Sequence, residues 1–229
     1  MPMNNRLMVP RASGFNPRSI AGLAAWFDAA DASSVTISTG VSQWNDKSGN
    51  GRNATQGTGN NQPAYTIAGQ NGKNILTFDG TNDFLSTAGF TLSQPHTDFI
   101  VFRYNSGFGT VVDGFNPNRA ALARSVGLLW QMTTSTTLNS GSAIADTNWH
   151  ALGLVFNTTS SEMFADGVSV ATGNAGTANL STGYILGCFN GTGAFFNGSI
   201  AEVLLYSGVL SSSRIATVNA YLKAKWGTP

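Results

Sequence analysis

The stretch FFNGSIAEVLLYSGVLSSSRIATVNAYLKAKW, residues 195–226, places a strand pattern directly before a helix pattern. From Gly198 to Tyr206 the residues alternate at period two. Ile200, Glu202 and Leu204 share one face, and Ala201, Val203 and Leu205 share the other. Gly208 marks a turn. The serines Ser211 to Ser213 offer a helix N-cap, whose hydroxyl accepts from an otherwise unpaired backbone N–H. Ile215, Val218, Leu222 and Trp226 then recur at helical spacing, Lys223 and Lys225 suit the last turn, and Gly227 suits the C′ position. The spacing predicts a helix over 211–226 that closes a mostly β domain.

Upstream of it, short β-branched or aromatic runs are punctuated by Gly, Asn, Asp and Ser. They include LAAWF (23–27), KNILTFDG (73–80), FIVFRY (99–104), ALGLVF (151–156) and YILGCF (184–189). Asp166-Gly167 between two alternating runs is a hairpin signal. This pattern predicts an all-β fold, a two-sheet antiparallel jelly-roll sandwich over residues 20–229 with one C-terminal α-helix. Residues 1–19 differ: they carry Arg6, Arg11 and Arg18, three prolines and no acid, and read as an extended N-terminal arm. Its arginines are suited to pairing with carboxylates on a partner surface.

Composition narrows the function classes. Only 10% of the residues are charged and the formal net charge is +1, which leaves no electrostatic footprint for nucleic acid. So sparse a charge suits a surface that meets other protein, or a polar uncharged face that meets sugars. No signal peptide or membrane-spanning run is expected. The single cysteine, Cys188, lies in an apolar run and reads as a buried, inert thiol.

The series GLAAWFDA, WNDKSGNGRNA (44–54), QPAY and NGKNILTFDGTNDFL, followed by TNWHALGLVF (147–156), MFADGVSV (163–170), FNGSIAEVLLYSGVLS and YLKAKWG (221–227), resembles the laminin-G-like jelly-roll domains of the concanavalin A-like lectin/glucanase superfamily. The resemblance runs from about residue 20 to the end. Together with the arm, it is similar to products of tailed-phage structural gene modules. It therefore implies a non-enzymatic virion component, such as an outward-facing capsid decoration protein. Such a protein would be a homo-oligomer at the virion surface, joined by its arm to other virion proteins. The alternative it implies is a carbohydrate-binding adhesin for host polysaccharide, on a tail or free.

Glycoside hydrolysis requires two carboxylates across one bond. The two glutamates, Glu162 and Glu202, are isolated, and Glu202 reads as a hydrogen-bonded structural carboxylate, so no catalytic residue is expected. His96, beside Pro95, reads as a turn residue, and His150 opens a strand; neither has a second ligand at zinc spacing. No cofactor is expected, with calcium as the one metal worth naming. Asp79, Asn82 and Asp83 gather hard oxygen donors in one loop, though the same residues also cap turns. Asp28, Asp31 and Asp46 form a second acidic group only if their segments meet. Sugar recognition needs aromatic faces beside Asn, Gln or Asp. Phe108, Phe115, Trp130 and Phe189 are candidates, and the pairs Phe115-Asn116 and Phe189-Asn190 lie nearest loop signals.

Overall fold

The computed structural model describes residues 14–115, 121–124, 129–141 and 146–229. Arg6, Arg11 and Asn116 lie outside these described residues. The strands in chain order begin with β1 (Leu23–Asp28), β2 (Val35–Ile37), β3 (Val41–Trp44), β4 (Ala54–Thr55), β5 (Ala64–Gln70) and β6 (Lys73–Asp79). Then come β7 (Leu85–Thr87), β8 (His96–Tyr104), β9 (Gly109–Gly114), β10 (Ala121–Arg124), β11 (Trp130–Thr133) and β12 (Thr137–Asn139). The last are β13 (His150–Phe156), β14 (Ser161–Ala165), β15 (Val168–Gly173), β16 (Tyr184–Leu186) and β17 (Asn197–Ser207), followed by the helix α1 (Ser212–Trp226).

Two antiparallel sheets face each other. The first has the order β15-β14-β13-β8-β17-β6-β5, with β1 also paired to β17. The second runs β12-β11-β10-β9-β16-β7-β4-β3-β2. Between them lies the larger core, which includes Phe27, Trp44, Phe78, Phe102, Tyr104, Trp130 and Phe196. On the outer side of the first sheet, α1 lays Ile215, Val218, Leu222 and Trp226 against Trp26, Phe99, Val101, Leu204 and Tyr206. The first sheet is thus a middle layer, which explains why β17 is apolar on both faces.

The alternation in β17 does not run unbroken. A register shift between Ile200 and Glu202 turns Ala201 and Glu202 both toward α1. Ile200, Val203 and Leu205 enter the inter-sheet core, while Leu204 and Tyr206 face the helix. Ile200 and Glu202, expected on one face, therefore lie on opposite faces, because an extra residue in a bulge shifts the period by one.

The helix ends follow their local chemistry. Ser211 Oγ accepts from Arg214 N, and Gly227 takes the left-handed conformation (φ 69°) while its N–H donates to Lys223 O. Asn190-Gly191 and Asp166-Gly167 each have two successive positive φ values, as a two-residue hairpin turn requires.

The expected arm over 1–19 ends in a segment seated on its own domain. Asn16 caps a 3-10 turn over Pro17–Ser19, and Pro17 is buried with its carbonyl accepting from Tyr206 Oη. Phe15 packs on Tyr221, and the Arg18 guanidinium donates to Lys47 O. Arg18 is therefore engaged within the domain. His96 is not a turn residue. It opens β8, wholly buried, with Nδ1 2.9 Å from Asp98 Oδ1 and its ring stacked on Phe156. Among the described residues, no helix is long and apolar enough to cross a membrane.

Candidate functional site

Residues paired across antiparallel strands project to the same face. In the second sheet the row Val35, Trp44, Ala54 and then Leu85, Leu186, Val112 points into the core. The neighbouring row must point outward. It is continuous in register across six strands: Thr36 opposite Gln43, Gln43 opposite Thr55, Thr55 opposite Ser86, Ser86 opposite Ile185, and Ile185 opposite Asp113. Strand spacing sets these side chains about 4.7–4.9 Å apart. Thr36 and Thr55 are exposed, Gln43 and Ser86 are half-buried, and Ile185 and Asp113 are buried. Beyond β10, Gln131 donates to Asn139 across the β11–β12 pair at 2.9 Å, and Thr133 and Thr137 hydroxyls lie 3.0 Å apart. The face is a ledge of hydroxyl and amide groups that ends, at β9, in a buried carboxylate.

Asp113 joins that ledge to a loop. Its Oδ2 accepts from Asn190 N at 3.2 Å and its Oδ1 from Gly114 N at 2.8 Å. Asn190 and Gly191 form the tight turn of a small loop, closed by Phe189 N donating to Gly193 O (2.7 Å) and Thr192 N donating to Phe189 O (2.9 Å). The Phe115 ring is beside this turn: a β-carbon on Gly191 would stand 3.4 Å from Phe115 Cε1. Phe115 and Phe189 are both half-buried. The pairing of β9 with β16 thus brings Phe115 to the loop that carries Phe189 and Asn190, far along the chain from it. Asp113 and the Thr–Gln–Ser row are functional candidates that the residue pattern did not single out. An Asp inside a valine-rich run, GTVVDG, is the signal that could have found Asp113.

Other candidates are placed elsewhere. Trp130 is buried in the core, edge-on to Phe102 at 5.0 Å, and cannot serve as a sugar platform. Phe108 is half exposed in the loop between β8 and β9. In the proposed calcium loop, Asp79 Oδ1 accepts from Thr81 N and Asn82 N, and Asp83 Oδ2 accepts from Asp79 N at 3.0 Å. These oxygens brace the turn. Burial, with the Asp79 charge nearby, pushes the Asp83 pKa up to about 6. Asp28 and Asp31 do meet, around Lys47 Nζ at 2.9 and 2.8 Å, while Asp46 accepts from Trp26 N, Ser48 N and Arg52 N. Among the described residues, no three His, Cys, Asp or Glu side chains are grouped to hold a metal ion.

Glu202 is a structural carboxylate beneath α1. Its Oε1 accepts from Trp26 Nε1 (2.8 Å) and Tyr221 Oη (2.7 Å), and its Oε2 from Trp226 Nε1 (2.6 Å) and Lys225 Nζ (2.8 Å). Burial raises its pKa, and the Lys225 ammonium opposes that rise. Glu162 accepts from Ser169 Oγ at 2.6 Å on β14, in the same sheet as β17 but not adjacent to it. Neither glutamate stands at the Asp113–Phe189 end of the second sheet. Cys188 is buried, and burial pushes its thiol up to about 12.

A laminin-G-type family model described as the concanavalin A-like lectin/glucanases superfamily matches residues 91–216, more than half of the chain. The chain belongs to this superfamily. The matched span runs from just before β8 into α1 and contains Asp113, Phe115, Phe189 and Asn190. No curated protein sequence matches. Solved structures share the fold at low identity. Domain 4 of AbnA, an extracellular arabinanase from Geobacillus stearothermophilus, in complex with arabinotriose, is 16% identical with a TM-score of 0.60; the match covers 87% of this chain and 98% of that one. The binding domain of Paraclostridial Mosquitocidal Protein 1 is 12% identical with a TM-score of 0.65, covering 93% and 56%. Trypanosoma rangeli sialidase in complex with sialic acid is 14% identical with a TM-score of 0.63, covering 90% of this chain. The chain spans about a third (33%) of that sialidase chain.

Proposed function

We propose that this lectin-like domain binds carbohydrate, without catalysis, on the outward face of its second sheet. The observation that carries the reading is the registered row Thr36–Gln43–Thr55–Ser86 running toward Asp113, with Phe115 and Phe189 at its end. Hydroxyl and amide side chains at regular spacing offer the donors and acceptors that sugar hydroxyls need, and aromatic rings offer an apolar face for the C–H side of a pyranose or furanose. With little charge on the chain, a neutral polysaccharide is the substrate class that fits. The arabinotriose complex of the similarly folded arabinanase domain supports the choice of first probe.

The test is isothermal titration against arabinan oligosaccharides, sialic acid and a panel of neutral bacterial polysaccharides. Saturable binding that Phe189→Ala weakens about tenfold supports the site. Binding that Phe189→Ala and a Thr55→Ala/Ser86→Ala pair both leave unchanged places the ligand elsewhere; no binding across the panel overturns the reading. A place on a virion surface is proposed second, as the setting from which such a domain would meet a host polysaccharide. Immunogold labelling of particles with antibody to residues 20–229, and loss of labelling on deleting residues 1–13, test it.

A further inference from the structure

A cavity lies on the opposite side of the molecule from that ledge, between α1 and the β14–β15 turn. It encloses about 400 Å³. Phe164, Ile215, Ala216 and Ala220 supply apolar walls, and Asn219 and Thr228 line it as well. Asn219 is only 9% exposed and Thr228 4%. Among the described residues, neither the Asn219 Nδ2 nor its Oδ1 has a hydrogen-bond partner, and the Thr228 Oγ1 has none. A buried amide that satisfies neither its donor nor its acceptor is costly, and a buried unsatisfied group in a native fold calls for a partner. Asn219 lies on the buried face of α1, which it shares with the apolar residues Ile215, Val218, Leu222 and Trp226.

Of the other polar groups on the cavity wall, Ser212 and Lys223 are exposed to solvent, and Asp166 is already engaged. Asp166 Oδ1 accepts from Ala151 N at 2.8 Å and its Oδ2 holds His150 Nδ1 at 2.7 Å. Gly167, in the left-handed conformation, faces Asn219 from the turn, and even a β-carbon there would leave 3.8 Å to Asn219 Nδ2. The carboxamide is thus open toward the cavity on the side where the hairpin carries no side chain.

We propose that this cavity binds a small neutral molecule bearing an N–H beside a C=O, such as a lactam or cyclic imide. A primary amide presents a donor and an acceptor side by side, and its complement is a cis-amide edge, which meets both at once. Asn219 Oδ1 accepts the ligand N–H, Asn219 Nδ2 donates to the ligand carbonyl, and the ring carbons pack on Phe164 and Ile215. This site does not depend on the carbohydrate reading, because both sheets lie between it and the Thr–Gln–Ser row.

The experiment follows the Asn219 side-chain NH₂ signals of the full chain by ¹⁵N-edited NMR. 2-Pyrrolidinone is titrated to about 50 mM, well past a millimolar Kd. Cyclopentanone, which keeps the carbonyl and lacks the N–H, is the control. Saturable shifts with the lactam, at least fivefold weaker with the ketone, are expected. In the near-isosteric Asn219→Leu, the backbone amide shifts of Gly167 and Ala220 on the cavity wall no longer respond to the lactam, and Tm rises by about 2–4 °C because an unpaired amide is removed. Phe189→Ala leaves the lactam shifts intact. No saturable shift of Asn219, or equal shifts with the ketone, overturns the proposal.

Discussion

Replacing Glu202 by Gln tests whether the helix is held by an ionised carboxylate. The side chain is fully buried and accepts four hydrogen bonds, two on each oxygen. Gln keeps the shape and one acceptor but turns an NH₂ toward two donors. Facing Trp226 Nε1 and Lys225 Nζ, that NH₂ meets groups that can only donate. Facing Trp26 Nε1 and Tyr221 Oη is milder, since the hydroxyl can also accept, but the Trp26 N–H is still stranded. Each stranded buried donor costs about 1–3 kcal/mol. Lys225 also loses one of its two carboxylates and retains Asp28 Oδ1 at 2.7 Å. Removing one member of a buried ion pair costs about 3–5 kcal/mol. The sum expected is about 3–5 kcal/mol, because Asp28 still compensates Lys225. For a chain of this length that lowers Tm by roughly 6–20 °C. Urea unfolding and calorimetry at pH 7 measure it. A loss under about 1 kcal/mol would refute the argument: it would mean that Glu202 is neutral in the folded state, so that Gln is its isostere. Trp226→Phe in the same background should show positive coupling with Glu202→Gln, since both remove one bond.

Three further outcomes rest on the same geometry. The carboxylates Asp166 and Asp146 hold His150 above its ordinary pKa although burial pulls the other way. Its stabilisation is therefore complete below about pH 6.5 and is lost as pH rises through the folded pKa, so His150→Asn should cost more stability at pH 5.5 than at pH 8 in urea titrations. Asp83, with its pKa pushed up to about 6, runs the opposite way. The folded state binds the proton more tightly than the unfolded chain, so the ionised group is a burden above pH 6; Asp83→Asn should be more stable than the parent at pH 8 and level with it near pH 3.5 in thermal melts. Gly187 sits at φ 97° where a β-carbon would overlap the Phe78 ring. Gly187→Ala should lower Tm by several degrees through strain and overpacking together, read by calorimetry.

The fold was legible because its signals are local. Serine at the N-cap, Gly227 at C′ and apolar residues at helical spacing place α1 without reference to any other part of the chain. Asn-Gly and Asp-Gly turns need positive φ wherever they occur. Cys188, read as a buried thiol, and Glu202, read as a hydrogen-bonded structural carboxylate, are buried and bonded as expected.

The site was only half legible, and the reason is register. Phe115 and Phe189-Asn190 could be named as aromatic–amide pairs near loops, but no local signal joins residues so far apart. Their meeting depends on β9 and β16 pairing as neighbours. The Thr36–Gln43–Thr55–Ser86 row is invisible along the chain, where each member is one ordinary polar residue in a short strand, and exists only once strand order and register are set. The bulge at Ala201 belongs to the same class: period-two reading assumes an unbroken ladder, and one extra residue reverses the face of every later position in the strand. Sequence alone thus determined the elements and the family of architectures, since propensity, capping and turn conformation act over a few residues. Tertiary structure alone decided which polar groups line up on a face and which, like Asn219, are buried without a partner among the described residues. Those facts depend on long-range pairing and packing.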